Sequence, residues 1–569
     1  MPVDHPPGQA DSAALLGANQ GRAVTIPRRS LWGLISISIF WLALTFHWTA
    51  FLIIILPSQV EALLAHSYLQ SHAFDQTALN AFVNNNKAVA LALISSPGLL
   101  VALVSNPLFG LLSDRTPGRW GRRRPYILGG TLLNIVGIFL MLAAPNIFTL
   151  MLALCLVQFA NNAAAAPFHA FLPDLVNEDQ RGLAAGIMGF TQALGLIVGT
   201  LFISQLLHID PVLHAASASA LHAALSAYNG QLLVSYSVVA VVLFVLMLLT
   251  IVLVKERPWQ PPALDTAAGG AGARTAGAAW LTRYRQQLRE GALALALVIV
   301  VLVVSLAALQ GVGLSFDVNG AHQAQSSGQP ASDAAQQANI AINLVLMLIL
   351  LIVTVWAARL FDFRPQRDPD FAWVVGTRLL MMLGINTVQA FLQYYFHDVL
   401  GRQDQELQAG YFVTVVTLAG ALTTFFGGWL STRYGRKRMV YLSGGLMTAV
   451  AVLFIAVNFL VVSGTLSQNA GLFIALGAGA IFGLGYGAYL SVDWALVADV
   501  LPSAERYARD MGVWNIALTI PQVIAFVIGS IVLSLAISPA FRYTLLFVTF
   551  IAYCLAGTVT VRYIKKIKR

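Results

Sequence analysis

The chain alternates long apolar runs with short polar breaks. Runs lie near 31–56, 88–113, 126–144, 148–172, 183–206, 231–254, 291–312, 339–358, 372–396, 410–431, 439–462, 470–497, 511–536 and 541–562. Each approaches the roughly 20 residues that a helix needs to cross a bilayer, so the pattern predicts fourteen spanning helices and an all-α integral membrane fold. The polar stretch 58–86 reads as an outer loop, with His66 and His72 solvated. The Pro-, Ala- and Gly-rich stretch Pro258–Ala279 reads as a flexible linker. Trp280–Glu290 suits an amphipathic helix on the membrane surface. The next two runs flank a polar loop and carry almost no charge, which predicts a peripheral two-helix hairpin. The expected organisation is a tail over 1–30, a six-helix bundle over 31–254, linker, hairpin and return loop over 255–370, a second bundle over 371–562 and a basic tail over 563–569.

Polar residues inside apolar runs are costly in lipid, so they point to a cavity, a partner or a function. His47 admits two readings, a packed ring or a cavity group. In the run 148–172, Gln158, Asn162 and His169 share a helical face beside Asn161 and Pro167, and that face is expected to line a cavity. Arg378 admits two readings, snorkelling to the inner surface or contact with a substrate. Gln389 and Gln393 are spaced i,i+4, suited to bonding hydroxyls from a cavity wall. Asp493 follows Gly483, Gly485, Gly487 and Tyr489, precedes Trp494, and is the most deeply placed carboxylate.

Two charged patterns recur. Gly110-Leu-Leu-Ser-Asp114-Arg115 leads through Gly121 to Arg122, Arg123 and Arg124. A weaker copy runs from Gly428 to Arg438, with Thr432 where the first has Asp114. Asp174 and Arg181 are seven apart, as are Asp499 and Arg506, and each pair precedes an early helical glycine, Gly186 or Gly512. Two such matches predict two homologous halves. Asp114, Arg115, Arg122, Arg123, Asp174, Arg181, Asp499 and Arg506 are expected to anchor and close an inner gate.

Composition narrows the class. Hydrophobic residues make up 58% and charged residues 10%, against about 25% charged in soluble domains. The net charge of +9 is topological: all Lys and Arg except Lys87, Arg402 and Arg542 fall on one side when the N-terminus is cytoplasmic. Both termini are therefore expected inside, in a multi-pass protein of a bacterial-type plasma membrane. The tail Lys565, Lys566, Lys568 and Arg569 suits anionic lipid rather than nucleic acid. Cys155 and Cys554 lie in apolar runs and form neither a disulfide framework nor a metal cluster. The first 30 residues show no signal-peptide pattern. No nucleotide loop or nucleophile motif is present, which argues against an enzyme.

The motifs together resemble the sucrose-transporter branch of the glycoside–pentoside–hexuronide cation symporters, in the major facilitator superfamily. Phe46, Trp48 and Pro57 match its first helix. Pro107–Arg115 and Arg119–Pro125 match its second-helix hairpin. Ala160, Asn161, Asn162, Pro167, Ala170, Leu172, Asp174 and Leu175 match its fourth helix, and Asn515, Ala517, Pro521 and Gln522 its eleventh. The resemblance implies two six-helix bundles rocking about a midplane site, here with the hairpin inserted between them. It implies a small-molecule substrate, a sugar or glycoside, with no cofactor beyond a coupling proton and no obligate protein partner. Substrate contacts then fall to Trp48, Asn161, Asn162, His169, Gln389, Gln393 and Trp494. The branch's coupling aspartate is Gln158 here and its sugar-binding arginine is His169. Glutamine does not titrate, so coupling is assigned to Asp493 with His169, meeting near one central axis. The alternatives are a proton-antiport exporter of a non-sugar amphiphile and a non-transporting sensor with the same fold.

Overall fold

The computed structural model describes residues 27–256 and 363–566, apart from 116–119, 170, 172–174, 178–179, 501–506 and 536, together with isolated helical positions between 289 and 355. The linker Pro258–Ala279 and most of the surface helix and hairpin expected over 280–358 lie outside the described residues.

Among the described residues, twelve helices are long and apolar enough to cross a membrane. They are α1 (Leu31–Ser71), α2 (Gln76–Arg115), α3 (Arg124–Leu142), α4 (Ile147–His169), α5 (Arg181–Leu206), α6 (Ala218–Leu253), α7 (Pro369–Gln389), α8 (Gln405–Tyr434), α9 (Arg436–Val462), α10 (Gln468–Val500), α11 (Tyr507–Leu533) and α12 (Pro539–Thr560). A helix satisfies every backbone N–H and C=O within itself, which is what lipid demands. In the first half α4 packs against α2 and α3, and α1 against α5 and α6. In the second half α10 packs against α8 and α9, and α7 against α11 and α12. The halves meet where α2 packs on α11 and α5 on α8. Those contacts exchange if α1–α6 and α7–α12 are related two-fold.

The expected outer loop 58–86 is instead mostly helix. α1 runs on to Ser71 and α2 begins at Gln76. Pro57 hid this continuation, because proline removes a backbone donor and crowds the preceding turn. The helix absorbs it with a π-helical stretch, Ala50–Ile55, just before the proline. His66 and His72 bond within this turn, to Gln70 and to the Tyr68 carbonyl.

The run read as one helix over 372–396 is also two. α7 ends at Gln389, and a short helix Leu392–Asp398 restarts after Ala390 and Phe391. The Phe391 ring presses on α11 at Gly529, where an added Cβ would lie 2.1 Å from it.

The glycines before Asp493 serve packing. A Cβ at Gly483 would meet the Val416 carbonyl oxygen at 2.3 Å, and one at Gly487 the Gly420 oxygen at 2.1 Å. Without side chains at these positions, α10 lies backbone to backbone on α8, the small-residue contact that holds helices together in lipid.

Candidate functional site

Two ends of the molecule are set by its short contacts. At the terminal end, Arg29 bonds the Leu175 carbonyl and the Gln180 amide, while the backbone of Lys565 and Lys566 bonds Asp370. The opposite end carries the loops around 72–75, 207–217 and 399–404.

At that opposite end a buried ionic cluster joins the two halves. Lys87 of α2 is 2% exposed. Its Nζ donates to Asp398 Oδ1 at 2.6 Å and lies 3.2 Å from Glu61 Oε1. Tyr543 of α12 donates to the other Asp398 oxygen at 2.7 Å. The ammonium also sits 4.6 Å from the Tyr394 ring centroid. Gln405 donates to Glu61 at 2.8 Å, again across the halves. Burial works against ionisation of Asp398, but Lys87 and His397 beside it hold its carboxyl well below the usual range. A cavity of about 190 Å³ lined by Lys87, Asp398, Arg542 and Tyr543 lies next to the cluster.

One turn deeper, Gln393 donates to Ser58 Oγ at 2.6 Å, and Ser58 donates to Glu406 Oε1 at 3.0 Å. The backbone N–H of Ile209 donates to the same Glu406 oxygen at 3.1 Å. Gln59 and Tyr236 bond each other at 2.5 Å beneath this layer. Sequence reasoning missed Glu61, Lys87, Asp398 and Glu406. The available signal was polar: Glu61 follows Pro57 by one turn, and Lys87 is a lone cation at the edge of an apolar run.

Residues expected at the midplane fall into several environments. Asn106 donates to Asn162 Oδ1 at 2.9 Å, and Asn162 donates to the Gln158 carbonyl at 2.8 Å. Gln158 packs on α2 near Gly98. Gln158 and Asn162 therefore face the α2–α4 contact instead of an open wall. Buried polar atoms nonetheless go unbonded here: both amide atoms of Gln158 and Oδ1 of Asn161 have no hydrogen-bond partner among the described residues. His169 is exposed, its ring 4.5 Å from that of Trp41. Trp48 is half-buried and stacks at 5.4 Å on His47, which is fully buried with both ring nitrogens unbonded.

Gln389 and Gln393 do not share a face, because the helix breaks between them. Gln389 is exposed and lines a cavity with Thr417, Tyr486 and the rings of Phe412, Phe454 and Phe482. Gln393 is buried on Ser58.

Arg378 does not snorkel. It is 4% exposed, ion-paired with Asp493, and its guanidinium lies 3.4 Å from the Trp514 ring centroid. Tyr489 donates to the other Asp493 oxygen at 3.3 Å. A buried cation needs a carboxylate more than it needs the surface when one is one helix away. Asp493 and His169 consequently do not meet. The first is enclosed by α7, α10 and α11, while the second packs against α1.

At the terminal end, the described gate residues hold their own halves together. Arg123 is buried and donates to Ser113 Oγ at 2.7 Å. The Glu256 carboxylate, at the end of α6, accepts from the backbone N–H of Arg123 at 3.0 Å and of Arg124 at 3.2 Å. Gly121, at φ +92°, turns its missing Cβ toward Glu256, so only glycine leaves room for this clasp. Arg122 is half-buried. Asp499 pairs with Arg436 of α9. These contacts of Arg123 and Asp499 lie within a half. Asp114, Arg115, Arg181 and Trp494 are helical positions whose side chains lie outside the description, and Asp174 and Arg506 lie outside the described residues. Among the described residues no group of His, Cys, Asp and Glu is arranged to hold a metal ion.

The comparisons agree with this architecture. The family described as MFS/sugar transport protein matches residues 50–359, and the Major Facilitator Superfamily matches residues 374–568. The human proton-associated sugar transporter A is 31% identical over 188 residues, 30% of this chain and 23% of that protein. The sucrose transport protein SUT1 of Oryza sativa subsp. japonica is 29% identical over 124 residues, 18% of this chain and 23% of that protein. The general alpha-glucoside permease of Schizosaccharomyces pombe is 32% identical over 124 residues, 18% of this chain and 22% of that protein. The chain thus spans less than a quarter of the length of these relatives. Among solved structures, a POT family transporter in complex with 5-aminolevulinic acid superposes with a TM-score of 0.60 at 15% identity, covering 95% of this chain and 99% of that one. The peptide transporter POT in complex with sulfate gives 0.56 at 15% identity, covering 96% and 99%. These last two bear on the fold alone. By its twelve described spans, its two matched halves and its first-half profile, this chain is a multi-pass integral membrane protein of the major facilitator superfamily, belonging to the MFS/sugar transport proteins.

Proposed function

We propose that this protein carries a sugar or glycoside across the membrane by alternating access, coupled to protons. The observation that carries the reading is the buried Lys87–Asp398 ion pair, which ties the two halves at the end of the seam opposite the termini. A buried inter-half ion pair is a contact that must break when the halves rock apart. The printed names of the relatives, a proton-associated sugar transporter, a sucrose transport protein and an alpha-glucoside permease, support the substrate class.

With the arginine-bearing terminal face in the cytoplasm, the cluster is the outer gate. Asn161, His169 and Gln389 are the proposed hydroxyl contacts, and Trp48 the ring that a sugar face packs against. The Asp493–Arg378 pair is the proposed coupling site, its carboxylate exchanging a proton when the pair loosens. Labelled-sugar counterflow in proteoliposomes, over a panel of mono- and disaccharides, tests the reading. Accumulation of label against an outward gradient of the same sugar supports it, and its absence for every sugar contradicts it.

One observation favours a second reading. The cavity beside Gln389 is walled mainly by aliphatic and phenylalanine side chains, which suits an amphiphile with an apolar portion. Aryl glycosides belong in the same panel for that reason.

A further inference from the structure

Glu406 is unlike the other carboxylates of the outer cluster. It is 0% exposed, at the start of α8. One oxygen accepts two hydrogen bonds, both from the first half: the Ser58 hydroxyl at 3.0 Å and the Ile209 N–H at 3.1 Å. The other oxygen has no hydrogen-bond partner. Among the described residues no cation pairs with it. Lys87 is taken up by Asp398 and Glu61, and Arg402 by Asp404 on Glu406's own turn. The charged and titratable groups around Glu406 are Glu61 on α1, Tyr228 on α6, and His208 and Asp210 flanking Ile209. Of these, Glu61 is a like charge.

An unpaired carboxylate is among the most costly groups to bury, and a like charge nearby adds to the cost. A neutral carboxyl fits the observed bonding: the carbonyl oxygen takes both donors and the other oxygen carries hydrogen. Opening the seam would withdraw the Ser58 and Ile209 donors and admit water in their place, and hydration of the carboxylate favours the ionised form.

We propose that Glu406 is a protonation site of the outer gate, holding a proton while the gate is closed and losing it to the outer medium as the halves part. Acid outside then favours closure, and alkaline medium favours opening. The site is distinct from Asp493, which has a cation of its own. The inference rests on the alternating-access reading but not on the identity of the substrate.

The test needs no sugar. Spin labels are placed on cysteines introduced at Ala73 and Gln403, exposed positions at the same end of opposite halves. Distance distributions are then recorded in lipid nanodiscs from pH 5 to pH 9. The wild-type background should shift from a short to a long distance with rising pH, the ratio changing by up to about tenfold per pH unit, the limit for one proton. Glu406→Gln should stay short at every pH, and Glu406→Asp should recover the response with a displaced midpoint. A wild-type distance that ignores pH, or a Glu406→Gln response equal to wild type, overturns the proposal. A pH response that persists in a protein giving no counterflow with any solute overturns the transport reading and leaves the protonation site standing.

Discussion

Lys87 and Asp398 are 311 residues apart in sequence, and their side chains lie 2.6 Å apart between the halves. Removing Lys87 leaves Asp398 and Glu61 without their shared counter-ion, and removing Asp398 leaves Lys87 with the more distant Glu61 alone. Lys87→Ala and Asp398→Ala should each cost about 3–5 kcal/mol of stability in the closed form. The double variant should cost less than the sum, because the Lys87–Asp398 interaction is then lost once and not twice. Thermal unfolding in detergent across the double-mutant cycle measures both effects.

Asp398 also predicts an acid dependence. Its folded carboxyl is held below the unfolded value of about 3.9 by Lys87 and His397, against the opposing effect of burial. A carboxyl lowered on folding stabilises the protein fully above the unfolded value, and that stabilisation declines as pH falls toward the folded value. The unfolding temperature of wild type should therefore drop below about pH 4 more steeply than that of Asp398→Asn. Parallel slopes in the two proteins would place the acid sensitivity elsewhere.

Backbone contact between α8 and α10 makes Gly487 intolerant of any side chain. Gly487→Ala puts a Cβ 2.1 Å from the Gly420 oxygen and should destabilise by about 1–3 kcal/mol. Gly477, on the same helix, has no neighbouring atom within 4 Å of its added Cβ. Gly477→Ala should be neutral or slightly stabilising, by less than about 1 kcal/mol. Unfolding midpoints of the two variants side by side decide the point.

The proposed contacts divide by exposure. Gln389→Ala and His169→Ala each remove one exposed polar group and should raise the sugar KM by about 2- to 10-fold, the worth of one hydrogen bond. Asn162→Ala instead breaks the buried bond to Asn106 and should lower stability more than affinity. Uptake kinetics read beside unfolding curves separate the two outcomes.

The chain announced its helices because each apolar run is long enough to span, and lipid leaves few other folds open to it. It was less explicit where helices are interrupted or extended. Pro57 reads as a stop, yet Leu31–Ser71 passes it through a π-helical stretch. No proline or glycine marks the break at Ala390–Phe391, which is set by packing against Gly529 on a distant helix. The site was legible as residue types and not as pairs. Asp493 stands out as a deep carboxylate, but its partner Arg378 is 115 positions away, and nothing local in the sequence links the two. The buried ionic cluster had no local spacing to reveal it, because Glu61, Lys87, Asp398 and Glu406 come from four separate segments, and Asp398 and Glu406 meet their first-half partners only when the halves dock.

The most direct test of the central claim is labelled-sugar counterflow in preloaded proteoliposomes, with external pH recorded as sugar is added to unloaded vesicles of the same preparation and Asp493→Asn beside wild type. The account predicts label accumulation with sugar-evoked alkalinisation outside, the proton signal being lost in Asp493→Asn while sugar binding remains. Counterflow without a proton signal in either protein would contradict coupling, and no counterflow with any sugar or glycoside would contradict sugar transport itself.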